Sequence, residues 1–348
     1  MSFKSWLSLV TLALVGLVLF FARSDIVEAW HLLSTVDLWV FLLIIPTQFL
    51  SYYAHGAMIF SYLRQRGDLQ AVNKLEMPRM ALELNFVNHV FPTAGVSGMS
   101  YMTWRLSKLG VNSGRATLAQ IVKFAATFVA YAALLVVATV VVTVDVGLQR
   151  VTILAAAGMV LAIVVGTMLF MYLLSDRRRL AKLERGIDRL LNVKLKKLFR
   201  RSHDLVKTTT IQDFFDDLHK DYVELRQHPK YLIRPLLWGL VFNIAETTMF
   251  FIAFWSLGHI VNPAPILIAQ GLAGMVATFF ATPGGAGGYE AIMVLFLAAT
   301  SMASSTALAG VLLARTSLII LTIASGYVCY NAALKKYGKN GTPPPVRQ

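Results

Sequence analysis

Two stretches interrupt the apolar segments of this chain: Thr282-Pro283-Gly284-Gly285-Ala286-Gly287-Gly288 and Phe91-Pro92-Thr93-Ala94-Gly95-Val96-Ser97-Gly98. The apolar arms beside each stretch are too short to cross a bilayer separately, since a crossing takes about 20 helical residues. A helix that stops at membrane depth leaves backbone groups unpaired, which is tolerated only where protein or a water-filled cavity surrounds them. Paired interruptions in corresponding positions of two halves are typical of a transporter's binding site.

The composition around these stretches indicates a polytopic helical membrane protein. Of the 348 residues, 57% are hydrophobic and only 14% are charged, and the run Leu118–Val144 carries almost no charge. The net charge of +14 does not indicate a nucleic-acid partner, because the basic residues fall in loops between spans, where they set topology. The single cysteine, Cys329, provides neither a disulfide nor a cysteine-based metal site within one chain. We expect no cofactor and no metal.

The hydropathy pattern predicts an all-α integral membrane protein with two re-entrant helical hairpins, near residues 79–107 and 265–301. Residues 1–335 are predicted to form a single transmembrane domain, followed by a Pro-rich disordered tail at 336–348. The first apolar run is read as an uncleaved span and not as a signal peptide, because it is long and lacks a small-residue cleavage site. The six predicted transmembrane helices lie near 5–23, 36–63, 116–144, 151–175, 231–257 and 306–330.

The distribution of Lys and Arg predicts that both termini lie in the cytoplasm. With that orientation, 28 of the 32 basic residues are cytoplasmic, two (Arg23, Arg150) lie in outer loops, and two (Lys123, Arg315) lie inside spans. The first hairpin is flanked by basic residues and is expected to enter from the cytoplasm; the second is not and is expected to enter from outside. The loop 176–230 is basic and amphipathic, and either lies on the inner leaflet or only sets topology.

The spacing of ionisable residues predicts an inverted-topology repeat of units 36–144 and 231–330. His55 lies 37 residues before Pro92, and Glu246 lies 37 residues before Pro283. Lys123 follows Pro92 by 31 residues, and Arg315 follows Pro283 by 32. The two units begin on opposite sides of the membrane, as an inverted repeat requires.

Ionisable residues within the membrane usually face a cavity or one another, so they are the candidate substrate-binding residues. Glu290 follows the glycine turn and is read either as a helix cap or as a counter-charge to Arg315. Arg315 is too far from its helix end to snorkel, so we expect a carboxylate partner, Glu290 or Glu246. Lys123 has the alternative of snorkelling to the interface, and Arg105 is expected to be interfacial. The candidate set is Glu83, Asn88, Arg105, Lys123, Glu246, Glu290 and Arg315.

The predicted hairpin turns are rich in glycine, which suits a sharp turn or a close backbone approach. The alternative is a pair of spanning helices that are only kinked. The turn residues are Pro92, Gly95, Gly98, Pro283, Gly284, Gly285, Gly287 and Gly288. No nucleophile elbow, phosphate loop or zinc motif is present, so we expect that the chain is not an enzyme.

Several of these motifs resemble those of the lysylphosphatidylglycerol synthase transmembrane-region family, also called flippase-like domain proteins. The residues that carry the resemblance are Pro283–Ala291, Ala307–Arg315 and Gly326-Tyr327, with Asn85–Pro92, Gly95 and Arg105 in the first hairpin. The resemblance implies a lipid-translocating domain, which in the two-part family enzymes moves aminoacylated phosphatidylglycerol to the outer leaflet and is joined to a soluble aminoacyl-tRNA-dependent transferase domain. No such domain follows the last span here, so we expect a stand-alone translocator.

The function predicted from the sequence is therefore a lipid flippase of the bacterial inner membrane. Its substrate would be a polar-headed lipid, aminoacylated or glycan-linked, and its partners would be membrane lipids with anionic or phosphate-bearing head groups. A lipid-modifying enzyme is a further candidate partner. Two alternatives remain: a membrane scaffold for a lipid- or glycan-modifying enzyme that transports nothing, and a small-solute secondary transporter.

Overall fold

The structure is a computed structural model that describes residue 31 and residues 33–90, 96–145, 150–188, 208–277, 287–300 and 302–338. Within these ranges the regular structure is helical, with no strand. The helices are α1 (Leu38–Phe41), α2 (Ile44–Gln65), α3 (Glu76–Val90), α4 (Val96–Ser107), α5 (Ser113–Asp145), α6 (Arg150–Leu174), α7 (Arg177–Asp188), α8 (Thr208–Gln227), a 3₁₀ turn (Pro229–Leu232), α9 (Ile233–Ser256), α10 (Pro263–Ala277), α11 (Gly288–Ala299) and α12 (Ser304–Tyr337).

Five helical segments in the described ranges are long and apolar enough to cross a membrane. They confirm that the protein is an all-α chain with several candidate spans, and they fall on five of the six predicted spans. The remaining prediction, 5–23, lies outside the described residues. The five segments are Leu38–Gln65, Ser113–Val140, Ala156–Leu174, Pro229–Ser256 and Ser304–Tyr337.

The two segments predicted as hairpins each contain a pair of short helices. Helices α3 and α10 have 15 residues each, and α4 and α11 have 12. At 1.5 Å per residue none of them reaches the roughly 30 Å thickness of a hydrocarbon core. Within each pair the two helices pack against each other. The connecting residues 91–95 and 278–286 lie outside the described ranges.

Local sequence explains where several helices begin. The α10 helix begins at Pro263, whose missing N–H and fixed φ suit the first helical position. The side chain of Asn262 accepts a hydrogen bond from the backbone N–H of Ala264 at 2.9 Å, which caps the same helix. Asp37 caps α1 by accepting from the N–H of Trp39 at 2.9 Å.

The centre of the protein is the contact between α2 and α9. The first helix of each short pair packs against the last helix of the other half: α3 against α12, and α10 against α5. The two largest apolar clusters of the described interior lie around Phe250 and Met293 and around Phe60 and Met80. Helix α6 turns most of its apolar surface outward; Leu154, for example, is 70% exposed.

The long loop between α6 and α9 contributes two helices that pack on the bundle. Helix α8 packs against α5 and α7. The buried guanidinium of Arg66 binds Asp221 at 2.7 Å and also binds Glu224, which ties α8 to the end of α2. Burial opposes the charge on Arg66, but Tyr62, Asp221 and Glu224 outweigh it and raise its pKa above the ordinary value.

At the other end of the chain, α12 continues to Tyr337, two residues beyond the predicted end of the transmembrane domain at residue 335. Of the predicted tail, residues 336–338 are described and residues 339–348 lie outside the described ranges. The terminal turn of α12 contains Lys335 and Lys336, and basic residues there complement the negative end of the helix dipole.

Candidate functional site

The first group of candidate residues gathers where α9, α11 and α12 meet, and we name it the central cluster: Ser51, His89, Glu246, Tyr289, Glu290 and Arg315. Arg315 on α12 binds Glu290 on α11, with 2.8 Å between Nε and Oε1. The side chains are only 14% and 16% exposed. The guanidinium also lies over the ring of Tyr289, 4.3 Å from its centroid. The expected carboxylate partner of Arg315 is therefore Glu290.

Glu290 fills both roles that the sequence left open. Its Oε1 binds Arg315, while its Oε2 accepts a hydrogen bond from the backbone N–H of Gly287 at 2.7 Å. Gly287 has φ of 89°, a conformation that glycine adopts without strain, and α11 begins at the next residue. A carboxylate at this helix end is favoured by the dipole as well as by the cation. One side chain thus fixes the start of α11 and its contact with α12.

Glu246 lies on α9, the helix that faces α2. Its Oε1 accepts a hydrogen bond from the hydroxyl of Ser51 at 2.5 Å, and it interacts electrostatically with Arg315. Gln270 on α10 donates to the backbone oxygen of Glu246 at 3.3 Å and accepts from Thr247 at 2.8 Å. These bonds attach the first helix of the second short pair to α9 at the level of the carboxylate.

The central cluster also reaches the first short pair. His89 is the penultimate residue of α3, and the charge of Arg315 acts on its ring. Its Nδ1 is 2.8 Å from the backbone oxygen of Asn85. The last turn of α3 therefore lies within electrostatic range of the cation on α12, although the two residues are 226 positions apart (315 minus 89).

A second group surrounds Arg105, which is predicted from the sequence to be interfacial and which the structure buries inside the protein. Arg105 is 2% exposed, and it binds Glu83 at 3.1 Å and Glu76 at 2.7 Å. The ring of Tyr337 lies under the guanidinium at 4.1 Å, and Tyr101 donates to Glu83 at 2.9 Å. The residue is buried because α3 and the end of α12 close over it, which its position near a helix end does not reveal.

A third group is a pair formed by Lys123 on α5 and His55 on α2. The Nζ of Lys123 lies 3.1 Å from Nε2 of His55, and the two residues are 5% and 8% exposed. The snorkelling alternative for Lys123 is therefore wrong. The side chain is directed toward α2 inside the bundle, so its stem cannot carry the ammonium along the lipid-facing surface to the interface.

Asn88 and the turn residues hold the first short pair together. The Oδ1 of Asn88 accepts from the backbone N–H of Gly98 at 3.0 Å, in the first turn of α4. A Cβ at position 98 would lie 2.2 Å from that oxygen, so glycine permits the contact. Gly288 is buried at the start of α11. The other predicted turn residues, Pro92, Gly95, Pro283, Gly284 and Gly285, lie outside the described ranges.

The candidate residues therefore form three groups and not one cleft. Arg315, Glu290 and Glu246 come together; Arg105 and Glu83 form a separate ion pair; Lys123 joins His55. In the described part of the chain, no three His, Cys, Asp or Glu side chains come together as a potential metal site.

Sequence reasoning missed a polar stripe on α2. The side chain of Gln48 binds Tyr52, Thr322 and the backbone oxygen of Leu318, so it links α2 to α12. Ser51 binds Glu246 on α9. The signal was present in the spacing, since Gln48, Ser51, Tyr52 and His55 follow one another at helical intervals of i, i+3, i+4 and i+7 on an apolar helix.

The arrangement is suited to holding a charged group inside an apolar bundle. The central cluster combines two carboxylates and one guanidinium with hydroxyl and imidazole groups from five helices. Such a set offers a guanidinium to an anionic guest and carboxylates to a cationic one, and its internal pairing offsets the burial of these charges when no guest is present.

Comparison with known proteins identifies the family. No curated protein and no solved structure matches the chain. One protein family does match: its description is lysylphosphatidylglycerol synthase TM region, and the match covers residues 5–326. That range contains four of the five candidate spans, the first two thirds of the fifth, and every candidate residue predicted from the sequence. The chain is a multi-pass membrane protein that belongs to the lysylphosphatidylglycerol synthase TM region family.

Proposed function

We propose that the protein is a translocator that moves a polar-headed lipid between the leaflets of a bacterial inner membrane. The head group crosses through the region between two re-entrant hairpins, α3–α4 and α10–α11, while the acyl chains stay in the bilayer. The observation that carries the proposal is the central cluster, because it joins ionic groups next to the ends of both short helix pairs. Ionisable residues inside a membrane bundle are costly, and such residues mark substrate pathways.

An inverted repeat of α2–α5 and α9–α12 underlies this proposal, and the pattern of helix contacts supports it. Within the first unit α2 packs on α3, α3 on α4, α4 on α5, and α2 on α5. The second unit repeats these contacts as α9 on α10, α10 on α11, α11 on α12, and α9 on α12. Across the units the exchange is reciprocal, with α3 on α12 and α10 on α5. Inverted repeats place the substrate site at their interface, near the bilayer midplane.

The proposed orientation has both termini in the cytoplasm, with α7 and α8 on the same side. It is supported by the charge distribution, which puts 28 of the 32 Lys and Arg residues on that side. The protein performs no covalent chemistry in this proposal. Since the sequence contains no phosphate loop, the driving force is a gradient or an ion and not ATP.

The candidate residues take different roles. Arg315 and Lys123 offset the charge of the lipid phosphate, and Glu246 and Glu290 balance the basic residues or receive a cationic head group. Neutralising the head group within the protein lowers the free energy of moving it through hydrocarbon. Arg105, Glu83 and Asn88 hold the first hairpin in shape.

The test is lipid movement in liposomes that contain the purified protein and a lipid labelled in one leaflet. We expect Glu290→Gln to slow movement by about 10- to 100-fold, because about 1.5–3 kcal/mol of charge-assisted bonding is lost. Glutamine still serves as the N3 residue of a capping box, so this variant keeps the start of α11 while it removes the charge and the oxygen that accepts from Arg315. The control is Lys220→Ala, since Lys220 is exposed on α8.

The alternatives give different results in the same assay. Unchanged leaflet distribution with wild-type protein, together with retention of a lipid-modifying enzyme on the immobilised chain, would favour a scaffold. Uptake of a water-soluble solute without lipid movement would favour a secondary transporter. Either outcome contradicts the proposed translocator.

A further inference from the structure

The Lys123–His55 pair contacts two aromatic side chains. The ring of Phe124 lies 3.9 Å from the ammonium nitrogen. The ring of Phe242, on α9, meets the imidazole edge to face with 5.5 Å between centroids. Because both members are more than nine-tenths buried, bulk water does not screen a charge on this pair.

No carboxylate of the described residues forms an ion pair with Lys123, unlike Arg315, which binds Glu290. The described ionisable side chains of the helices packed against α2 and α5 are engaged elsewhere, stand at helix ends or, like Lys220 of α8, are exposed. Helix α10 has none, and the only charged residue of α6, Arg150, is its first. The engaged groups are Glu83 of α3 with Arg105 of α4, Glu246 of α9 with Ser51, Asp221 and Glu224 of α8 with Arg66, and Tyr131 of α5 with the backbone oxygen of Leu267.

The hydrogen bond between the two nitrogens limits the pair to two protonation states. With one excess proton, an ammonium N–H of Lys123 donates to Nε2 of a neutral imidazole. A second proton on His55 would remove the acceptor and place two positive charges 3.1 Å apart. Loss of the excess proton leaves an amine that still donates to Nε2. The pair is therefore neutral or singly positive, and it keeps its hydrogen bond in both states.

We propose that the Lys123–His55 pair is a proton-binding site that takes up one proton when an anionic phosphate-bearing head group enters the protein and releases it when the head group leaves. The proton adds to the amine Nζ from water on entry and returns to water on exit, with no oxidation or reduction. The inference rests on the proposed function, since the anion is the lipid head group that is translocated.

Linkage gives the sign of the effect. An anion near the pair stabilises its positive state, so protonation must stabilise anion binding by the same amount. Affinity for the anion is highest where the pH is low enough for the pair to carry its proton before the anion binds. Affinity then falls as pH rises through the range in which the free protein loses that proton, by up to about tenfold per pH unit for one proton.

The test uses the purified full chain in neutral detergent micelles, titrated with phosphatidylglycerol, and with zwitterionic phosphatidylcholine for comparison. Binding and proton uptake are measured together in weak buffer with a pH-sensitive dye. We expect wild-type protein to take up as much as one proton per chain on binding phosphatidylglycerol. Lys123→Arg should bind at every pH without uptake, and Lys123→Met should bind weakly without uptake. Lys220→Met, at an exposed position on α8, should match the wild type.

Proton uptake that persists in Lys123→Met overturns the proposal, as does wild-type binding of phosphatidylglycerol that is independent of pH from about 5 to 10. If the larger guanidinium prevents Lys123→Arg from folding, Lys123→Met still decides the question. His55→Gln keeps an acceptor for the ammonium, so this variant should still take up a proton on binding phosphatidylglycerol, but over a different pH range. An unchanged pH range would show that His55 takes no part in binding the proton.

The two proposals fail separately. Lysine-dependent uptake in micelles without lipid movement in liposomes would refute the translocator and leave the proton site in place. Lipid movement with pH-independent binding would refute the proton site alone.

Discussion

Replacing Arg105 by Met tests whether the Arg105–Glu83 pair is structural. The substitution keeps an unbranched side chain of similar reach but removes the charge. It takes away the partner of Glu83 at 3.1 Å and of Glu76 at 2.7 Å, and the cation over Tyr337. Glu83 is 2% exposed, so its carboxylate would remain in the interior.

The expected loss of stability is about 3 kcal/mol. Removing one member of a buried ion pair costs about 3–5 kcal/mol, because the other charge is left uncompensated. Tyr101 still donates to Glu83 at 2.9 Å, and one such bond to a charged group contributes about 1.5–3 kcal/mol, which places the loss at the lower end. Adding Glu83→Gln removes the orphaned charge, so the double variant should regain most of the loss.

The measurement is unfolding in mixed micelles with an anionic denaturing detergent, followed by tryptophan fluorescence. Arg79→Met is the matched control, since Arg79 also pairs with Glu76 but is 59% exposed, and an exposed pair contributes less than about 1 kcal/mol. If Arg105→Met destabilises no more than Arg79→Met does, the pair is not structural. The same conclusion follows if Glu83→Gln and Arg105→Met add independently, because coupled neighbours should not.

Three further predictions follow from single contacts. Gly98→Ala should destabilise the α3–α4 pair by about 1–2 kcal/mol in a thermal unfolding assay, because a Cβ displaces the capping oxygen of Asn88. The control is Gly158→Ala, which should be neutral or stabilising in the same assay because the space around Gly158 is open. Arg66→Gln should speed hydrogen exchange in α8 and leave α9 unchanged, because it removes the cation that binds Asp221 and Glu224; unchanged exchange would show that apolar packing alone holds α8. Glu246→Gln should keep its hydrogen bond from Ser51 and its thermal stability, while lipid movement slows. If the variant instead loses thermal stability as well as lipid movement, Glu246 is a structural residue.

Hydropathy predicted the helices on which these side chains lie but not the direction in which they point. The bounds of the helices follow from the apolar runs, so five spans and both short pairs fall where the sequence placed them. Direction depends on how each helix rotates against its neighbours. Arg105 is near a helix end, yet α3 and α12 bury it, and Lys123 faces α2 instead of lipid.

The polar stripe on α2 can be identified from the residues that share one face of the helix. Gln48, Ser51, Tyr52 and His55 share one face at helical spacing, and all are buried. Their partners lie on α12, α9 and α5, so this single face organises the contacts of three other helices. Position along the helix axis alone does not group these residues, because each lies at a different level of α2.

In the proposed inverted repeat, Lys123 and Arg315 correspond but have different partners, and we infer that one position accounts for the difference. Glu290 lies seven residues after Pro283, and the residue seven after Pro92 is Met99. The backbone oxygen of Met99 accepts from Gln120 at 3.3 Å, and Gln120 is one helical turn before Lys123 on α5. Position 99 is therefore next to the turn that precedes Lys123, as position 290 is next to Arg315.

Met99→Glu should thus give Lys123 the carboxylate that Arg315 already has. A fixed anion holds the ammonium in its charged state, so proton uptake on binding phosphatidylglycerol should disappear. Affinity for the anionic lipid should fall at every pH, because the new carboxylate competes with the phosphate for the same cation. Met99→Gln, of equal size and uncharged, is the control and should keep the wild-type pH dependence. If Met99→Glu also keeps it, positions 99 and 290 are not equivalent, and the correspondence between the two units does not extend to their binding residues.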